Sequence, residues 1–232
     1  MTVRFERLLQ VAGTYRLGRH VLHDERSKDF DARILIRPRP LVDTVHEGLC
    51  PPWDQGQVGS CTANAALGCL MTKPLWNGSW TFTEVDAQEL YRQETRVDDA
   101  QIPGHWEPTD TGSTGLWSMK VLRRAGYIRE YRHAFRLSTV LHLLLDRPVS
   151  TGVTWYNSMF EVDNEHVIQV DPDSGVAGGH QICLVGLDAT RNYVRVRNSW
   201  GTGWADGGYA WLSFEAYDHL LHKQGDAVVP VV

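Results

Sequence analysis

Hydrophobic and polar positions divide the chain into three stretches. Residues 1–47 mix charges with scattered apolar residues and hold no sustained period. Arg19 to Arg33 reads as an irregular, solvated strap, and Pro38 and Pro40 mark a boundary before the first compact segment. From there to about residue 146 the pattern is helical. Residues 60–71 (SCTANAALGCLM) make a tight, mostly buried rod with Ser60 as the expected N-cap. Thr83 to Asp86 resembles a capping box opening a helix that runs to about Glu94. Ser113 to Arg124 is a third helix with Gly126 as its stop, and Thr139 to Asp146 a fourth, ending before Pro148.

Beyond residue 147 the period shortens to two. Val149 to Trp155, His180 to Val185, Tyr193 to Asn198 and Tyr209 to Phe214 read as strands; in the third, Val194, Val196 and Asn198 share one face. Helices followed by strands predict an α+β fold of two lobes, with no internal repeat. The expected organisation is a strap or short pro-like extension over 1–47 and one domain over 48–232, its helical lobe spanning about 50–146 and its β lobe about 147–232.

Composition narrows the function. The chain has 232 residues, 42% of them hydrophobic, and a net charge of −5. A net acidic chain lacks the basic field of a nucleic-acid binder. No apolar run approaches the roughly 18 residues of a membrane span, and the N-terminus lacks a secretory signal, so the expected location is cytoplasmic. The cysteines Cys50, Cys61, Cys69 and Cys183 are too sparse for a disulfide scaffold and none form CxxC; free thiols are expected. Neither HExxH nor a cluster of His and Asp points to a metal, and no cofactor is expected.

Taken alone, each cysteine is a small buried hydrophobe. Cys61 differs in context. Asp54 to Cys61 (DQGQVGSC) is a loop that delivers a thiol to the first turn of a helix. Unpaired N–H groups and positive partial charge there favour thiolate and can hold an oxyanion. Gln55 adds a side-chain donor. A base is supplied by Gly178-Gly179-His180, where an imidazole opens an apolar strand beside two open glycines. If that strand and Tyr193 to Asn198 form a hairpin turning about residue 189, His180 pairs directly with Asn198. The Asn amide oxygen then orients the ring, and Trp200 covers the contact.

QGQVGSC, GGHQICLVG and NSWGTGWADGGY, in this order, resemble the papain-like cysteine peptidases over about residues 51–212, and QGQVGSCTANA is more similar to their bacterial and viral branch. The resemblance implies a helical lobe and an antiparallel sheet or barrel with a cleft between them. It implies Cys61 as nucleophile, His180 as acid–base partner in a thiolate–imidazolium pair, and Asn198 as orienting residue. Gln55 with the Cys61 N–H would form the oxyanion hole. Gly112, Ser113, Gly178, Gly179 and Trp200 would line the substrate cleft. His180 follows Cys61 by 119 residues and Asn198 by 137, against a family interval of roughly 130–150; trimmed loops account for the early histidine. Val58 replaces a cysteine of many secreted members, and Thr62 an aromatic of plant and lysosomal ones. With 60 residues before Cys61, a long inhibitory propeptide is not expected. The strap is expected to wrap the body, the alternative being that a short part blocks the cleft.

The function implied is an endopeptidase acting on protein or peptide through a thioester, without nucleic-acid or membrane partners. The alternatives are an amidase or transpeptidase-type acyl transferase on the same triad, and a binding module such as a bacterial or viral assembly component, virion-associated in the latter case. The complete set Gln55, Cys61, His180 and Asn198 speaks against the last. Val149, Val153 and Trp155 are expected to give the cleft an apolar wall. Asp110 reads as a helix-start turn residue rather than a selector of basic substrates.

Overall fold

The computed structural model describes residues 2–8, 10, 13, 15–97 and 102–232. The alanine-rich rod folds as helix α1 (Cys61–Leu70), with all ten residues buried. Its small side chains let it lie between two layers. Ala63, Ala66, Leu67 and Leu70 join one apolar cluster with Leu90 and Tyr91 of α2 (Glu84–Glu94) and Met119 and Leu122 of α3 (Gly115–Arg124). On its other side Gly68 meets the buried side chain of Arg197, where a Cβ would stand 3.3 Å from Nε. The box at the start of α2 forms: the Asp86 carboxylate accepts from the N–H and the hydroxyl of Thr83, both at 2.7 Å. Ser60 precedes α1 but does not cap it through its side chain. Its Oγ instead accepts from Asn64 Nδ2 at 3.2 Å.

The N-terminal residues build more than a solvated strap. Strand β1 (Val3–Glu6) pairs with β2 (Val21–Asp24), and β3 (Thr44–Val45) joins the main sheet. That sheet also contains β4 (Glu130–Ala134), which precedes α4 (Leu137–Leu144), and β5 (Val149–Tyr156). Then come β6 (Val176–Asp188), β7 (Tyr193–Arg197), β8 (Tyr209–Ser213), α5 (Phe214–His222) and β9 (Asp226–Val231). The order is β4-β9-β5-β6-β7-β8 with β3 on β6, and every pairing is antiparallel. Val149, Val153, Ile182, Leu184, Val196 and Leu220 belong to the larger apolar cluster, between this sheet and helices α4 and α5. Helices packed with an antiparallel sheet confirm the α+β reading.

One register differs from expectation. In the β6–β7 hairpin Cys183 faces Arg197 and Asp188 faces Tyr193, with a bulge between Leu184 and Gly186. The hairpin centres between residues 190 and 191 rather than on residue 189, so His180 does not pair with Asn198. It pairs with Val153 of β5.

Candidate active site

The loop before α1 is held by side chains on both flanks. Gly56 takes a left-handed turn (φ 57°), with its N–H on Asp54 Oδ1 at 2.9 Å. The Gln55 amide is oriented by Ser199, whose hydroxyl donates to Oε1 at 2.5 Å. Its Nε2 is thereby aimed the other way, donating to the Val58 carbonyl at 2.8 Å and the Arg16 carbonyl at 3.2 Å. Cys61 follows as the first residue of α1 and is fully buried.

His180 is finished by the sheet. Its Nε2 lies 2.7 Å from Asn198 Oδ1, which also accepts the Ser199 N–H at 2.8 Å. An amide oxygen accepts, so Nε2 carries the proton and Nδ1 keeps its lone pair. Nδ1 is buried without a hydrogen-bond partner among the described residues. Trp200 stacks on the ring at 4.7 Å and Trp155 meets it edge-on at 4.9 Å. The contact between His180 and Asn198 thus forms despite the shifted register, because Asn198 lies just past the end of β7. No hydrogen bond joins His180 to Cys61. The sulfur is met by the backbone N–H of Gln181, the residue after the histidine, and by that of Gly18.

Residues 15–20 run through this site. Tyr15 stacks on Trp200 at 4.5 Å. The Arg16 carbonyl takes Gln55 Nε2. Gly18 lies so close to Gly59 that a Cβ would collide with the Gly59 carbonyl. The Ser113 N–H donates to the Gly18 carbonyl at 2.8 Å, and the Ser113 carbonyl accepts from His20 N–H at 2.7 Å. Arg19 N–H donates to the Gly179 carbonyl at 3.0 Å. A side chain on Gly112 would strike His20 and the Gly18 carbonyl, and one on Gly178 would strike Gln10 and Leu17. Gly112, Ser113, Gly178, Gly179 and Trp200 therefore all touch this N-terminal segment. Residues 15–20 thus pass beside Cys61, while β3 of the same N-terminal region joins the main sheet.

Asp110 does more than the turn role expected of it. Its carboxylate takes Arg16 Nε at 3.0 Å, the Gly59 N–H at 3.0 Å and the Tyr91 hydroxyl at 2.6 Å. It ties the strap, the nucleophile loop and α2 together. Only its position before Thr111-Gly112 marked it. Val149, Val153 and Trp155 belong to the apolar cluster that also takes in Leu17 of the strap, and Trp155 meets the His180 ring edge-on. Gly152 of β5 lies against the Arg19 side chain.

Burial sets the protonation states. It pushes the Cys61 thiol up to about 12, against a partial offset from the Gln181 and Gly18 backbone, and pulls His180 down to about 4. With the strap seated the pair is a neutral thiol and a neutral imidazole. The expected thiolate–imidazolium pair is disfavoured in this state, because desolvation of Cys61 outweighs the backbone N–H groups of Gln181 and Gly18. Glu94, fully buried, is raised to about 7 by desolvation and accepts from Thr62 Oγ1 at 2.6 Å. Among the described residues no group of three or more His, Cys, Asp or Glu could hold a metal ion, and no helix is long and apolar enough to cross a membrane.

A family model described as papain family cysteine protease matches residues 118–225, a segment holding His180, Asn198 and Trp200. That segment is similar to the papain family of cysteine proteases. Solved structures extend the papain-like fold over the whole chain. Xylellain, a cysteine protease from Xylella fastidiosa, is 20% identical, with a TM-score of 0.64 over 97% of this chain and 100% of its own. Digestive procathepsin L 3 of Tenebrio molitor is 17% identical, with a TM-score of 0.63 over 96% of this chain and 76% of its own. The bromelain protease of Ananas comosus, in complex with the E64 inhibitor, is 14% identical, with a TM-score of 0.57 over 80% and 94%. No curated protein matches the sequence. Cys61 and Gln55 precede the matched segment and are joined to it through Ser199 and Gln181.

Proposed function

We propose that the chain is a thiol endopeptidase caught in a closed state. In the open state Cys61 Sγ passes its proton to His180 Nδ1 and attacks a peptide carbonyl carbon. Gln55 Nε2 and the Cys61 N–H hold the resulting oxyanion. His180 returns the proton to the leaving amine, and a thioester remains on Cys61. Water, deprotonated by the same imidazole, cleaves the thioester and restores the thiol. Asn198 holds the ring in the tautomer with Nδ1 free. The observation that carries this reading is the Arg16 carbonyl: a peptide oxygen already rests on Gln55 Nε2, two residues before Gly18, whose backbone meets the buried sulfur. Release of residues 15–20 opens the site.

The test is hydrolysis of an unfolded protein by the full chain with its strap displaced, followed by mass spectrometry. The Cys61→Ala version of the same chain is expected to lose all cleavage. Cleavage surviving in that version overturns the assignment.

A further inference from the structure

Arg19 is fully buried, a rare state for an arginine without a built counter-group. Its backbone is clamped next to Ser113 and Gly179, one residue from His180. Its side chain crosses the face of the sheet over the register pair Gly152–Gln181. Glycine is required there: a Cβ on residue 152 would collide with Arg19 Nε and stand 2.8 Å from Asp226 Oδ2. At the far end Arg19 Nη2 is paired with the Asp226 carboxylate and donates to the Gln224 carbonyl at 2.8 Å. Gln181 Oε1, buried at the same place, has no partner among the described residues. A carboxylate, a backbone carbonyl and an amide oxygen face the guanidinium. This set of acceptors suits a cationic donor and leaves an apolar tip facing a desolvated charge.

We infer that this slot is a side-chain specificity pocket of the enzyme and that Asp226 selects peptide substrates bearing arginine, with lysine second. The strap's Arg19 is the chain's own occupant of the pocket. The inference rests on the protease reading for its consequence in cleavage, but recognition of the cation can be measured without chemistry. Arg19 reaches both the carboxylate and the Gln224 carbonyl through Nη2, while Nε and Nη1 have no hydrogen-bond partner among the described residues; a lysine would reach the carboxylate as a point charge.

The experiment uses the full chain carrying Gly18→Ala, which forces the strap away from Gly59. Opening is checked by alkylation of Cys61; should the thiol stay protected, Arg16→Asp, which sets a carboxylate against Asp110, replaces it. Binding is then titrated in the same chain with Cys61→Ala. The probes are a peptide of the sequence of residues 15–21 and its analogue with citrulline, a neutral isostere, in place of Arg19. The arginine peptide is expected to bind about 100-fold more tightly. Asp226→Asn should cut that preference to within about threefold. Equal binding of the two peptides, no binding of the arginine peptide to the opened chain, or a preference untouched by Asp226→Asn overturns the proposal. A peptide-library digest with Cys61 intact gives the second arm. Products sharing a basic residue at one fixed position, lost in Asp226→Asn, support it, and cleavage without that preference counts against it. Cation-dependent binding with no cleavage of any peptide would retain the pocket and sink the protease reading instead.

Discussion

The two halves of the site are completed by different means. The His180 half is finished from within the sheet: Asn198 fixes the ring's tautomer, and Trp200 and Trp155 enclose it. The Cys61 half is finished by a segment from the other end of the chain. Gly18 meets the sulfur, Arg16 occupies the Gln55 donor, and Asp110 holds both Arg16 and the Gly59 N–H. The first half takes its hydrogen bond from Asn198 and meets the strap through Trp200 and Gly179, whereas the second takes backbone groups of the strap directly onto Cys61 and Gln55. On the proposed reading, release of the strap acts first at the thiol.

Substitutions can separate these halves. Gly18→Ala should act most strongly, because the new methyl has no room against Gly59. Iodoacetamide labelling of Cys61, followed by peptide mass mapping at pH 7, should accelerate by about 100-fold as solvent returns and the thiol pKa falls. An unchanged rate would break the comparison. Glu94→Gln probes the packing behind the nucleophile. The Glu94 carboxyl is raised in the folded chain to about 7, so it stays protonated where the unfolded chain has already ionised. Its favourable contribution is complete below its unfolded pKa and is lost as pH rises through about 7. Urea unfolding at pH 5 and pH 8 should show the wild-type chain losing on the order of 2–3 kcal/mol more than Glu94→Gln over that span. A parallel pair of pH profiles contradicts this.

Asn198→Ala should touch only the other half. Removing Oδ1 leaves a second imidazole nitrogen buried without a partner, costing about 1–3 kcal/mol of stability. Cys61 labelling should stay at the closed-state rate, and a large rise would show that the halves are coupled. Asp110→Asn should have the smallest effect, since the amide keeps one acceptor and Tyr91 can still donate. A rise of roughly fivefold in Cys61 labelling is expected, from the weakened hold on Arg16.

What could be read beforehand follows a physical division. Cys61 at a helix start, His180 on a strand and Asn198 at a strand end are local features, and glycine spacing and alternation carry them. The α2 box and strands β5 to β8 are legible for the same reason. Strand β9 escaped because DAVVPV contains Pro230, which argues against an interior strand. It is tolerated because β5 pairs only with residues 226–228, leaving Pro230 no ladder bond to make on that side. Helix α5 follows β8 without a break, and the strand expected over Tyr209 to Phe214 ran through its N-cap, Ser213, whose hydroxyl accepts from the Ala216 N–H at 3.1 Å. The β6–β7 register depended on a bulge that alternation does not encode. The roles of Arg19, Asp110 and Gly152 lie beyond sequence pattern altogether, because each acts across long chain separations: Arg19 meets Asp226, and Gly152 meets Arg19.

The stacking of Tyr15 on Trp200 means that the molecule has an optical reporter wired to its own latch. Trp200 touches the strap on one face and the imidazole on the other. When Tyr15 departs, water reaches that indole and its emission should move to longer wavelength, while protonation of the ring beneath should dim it. A single fluorophore would then signal both whether the enzyme is unlocked and what charge its base carries.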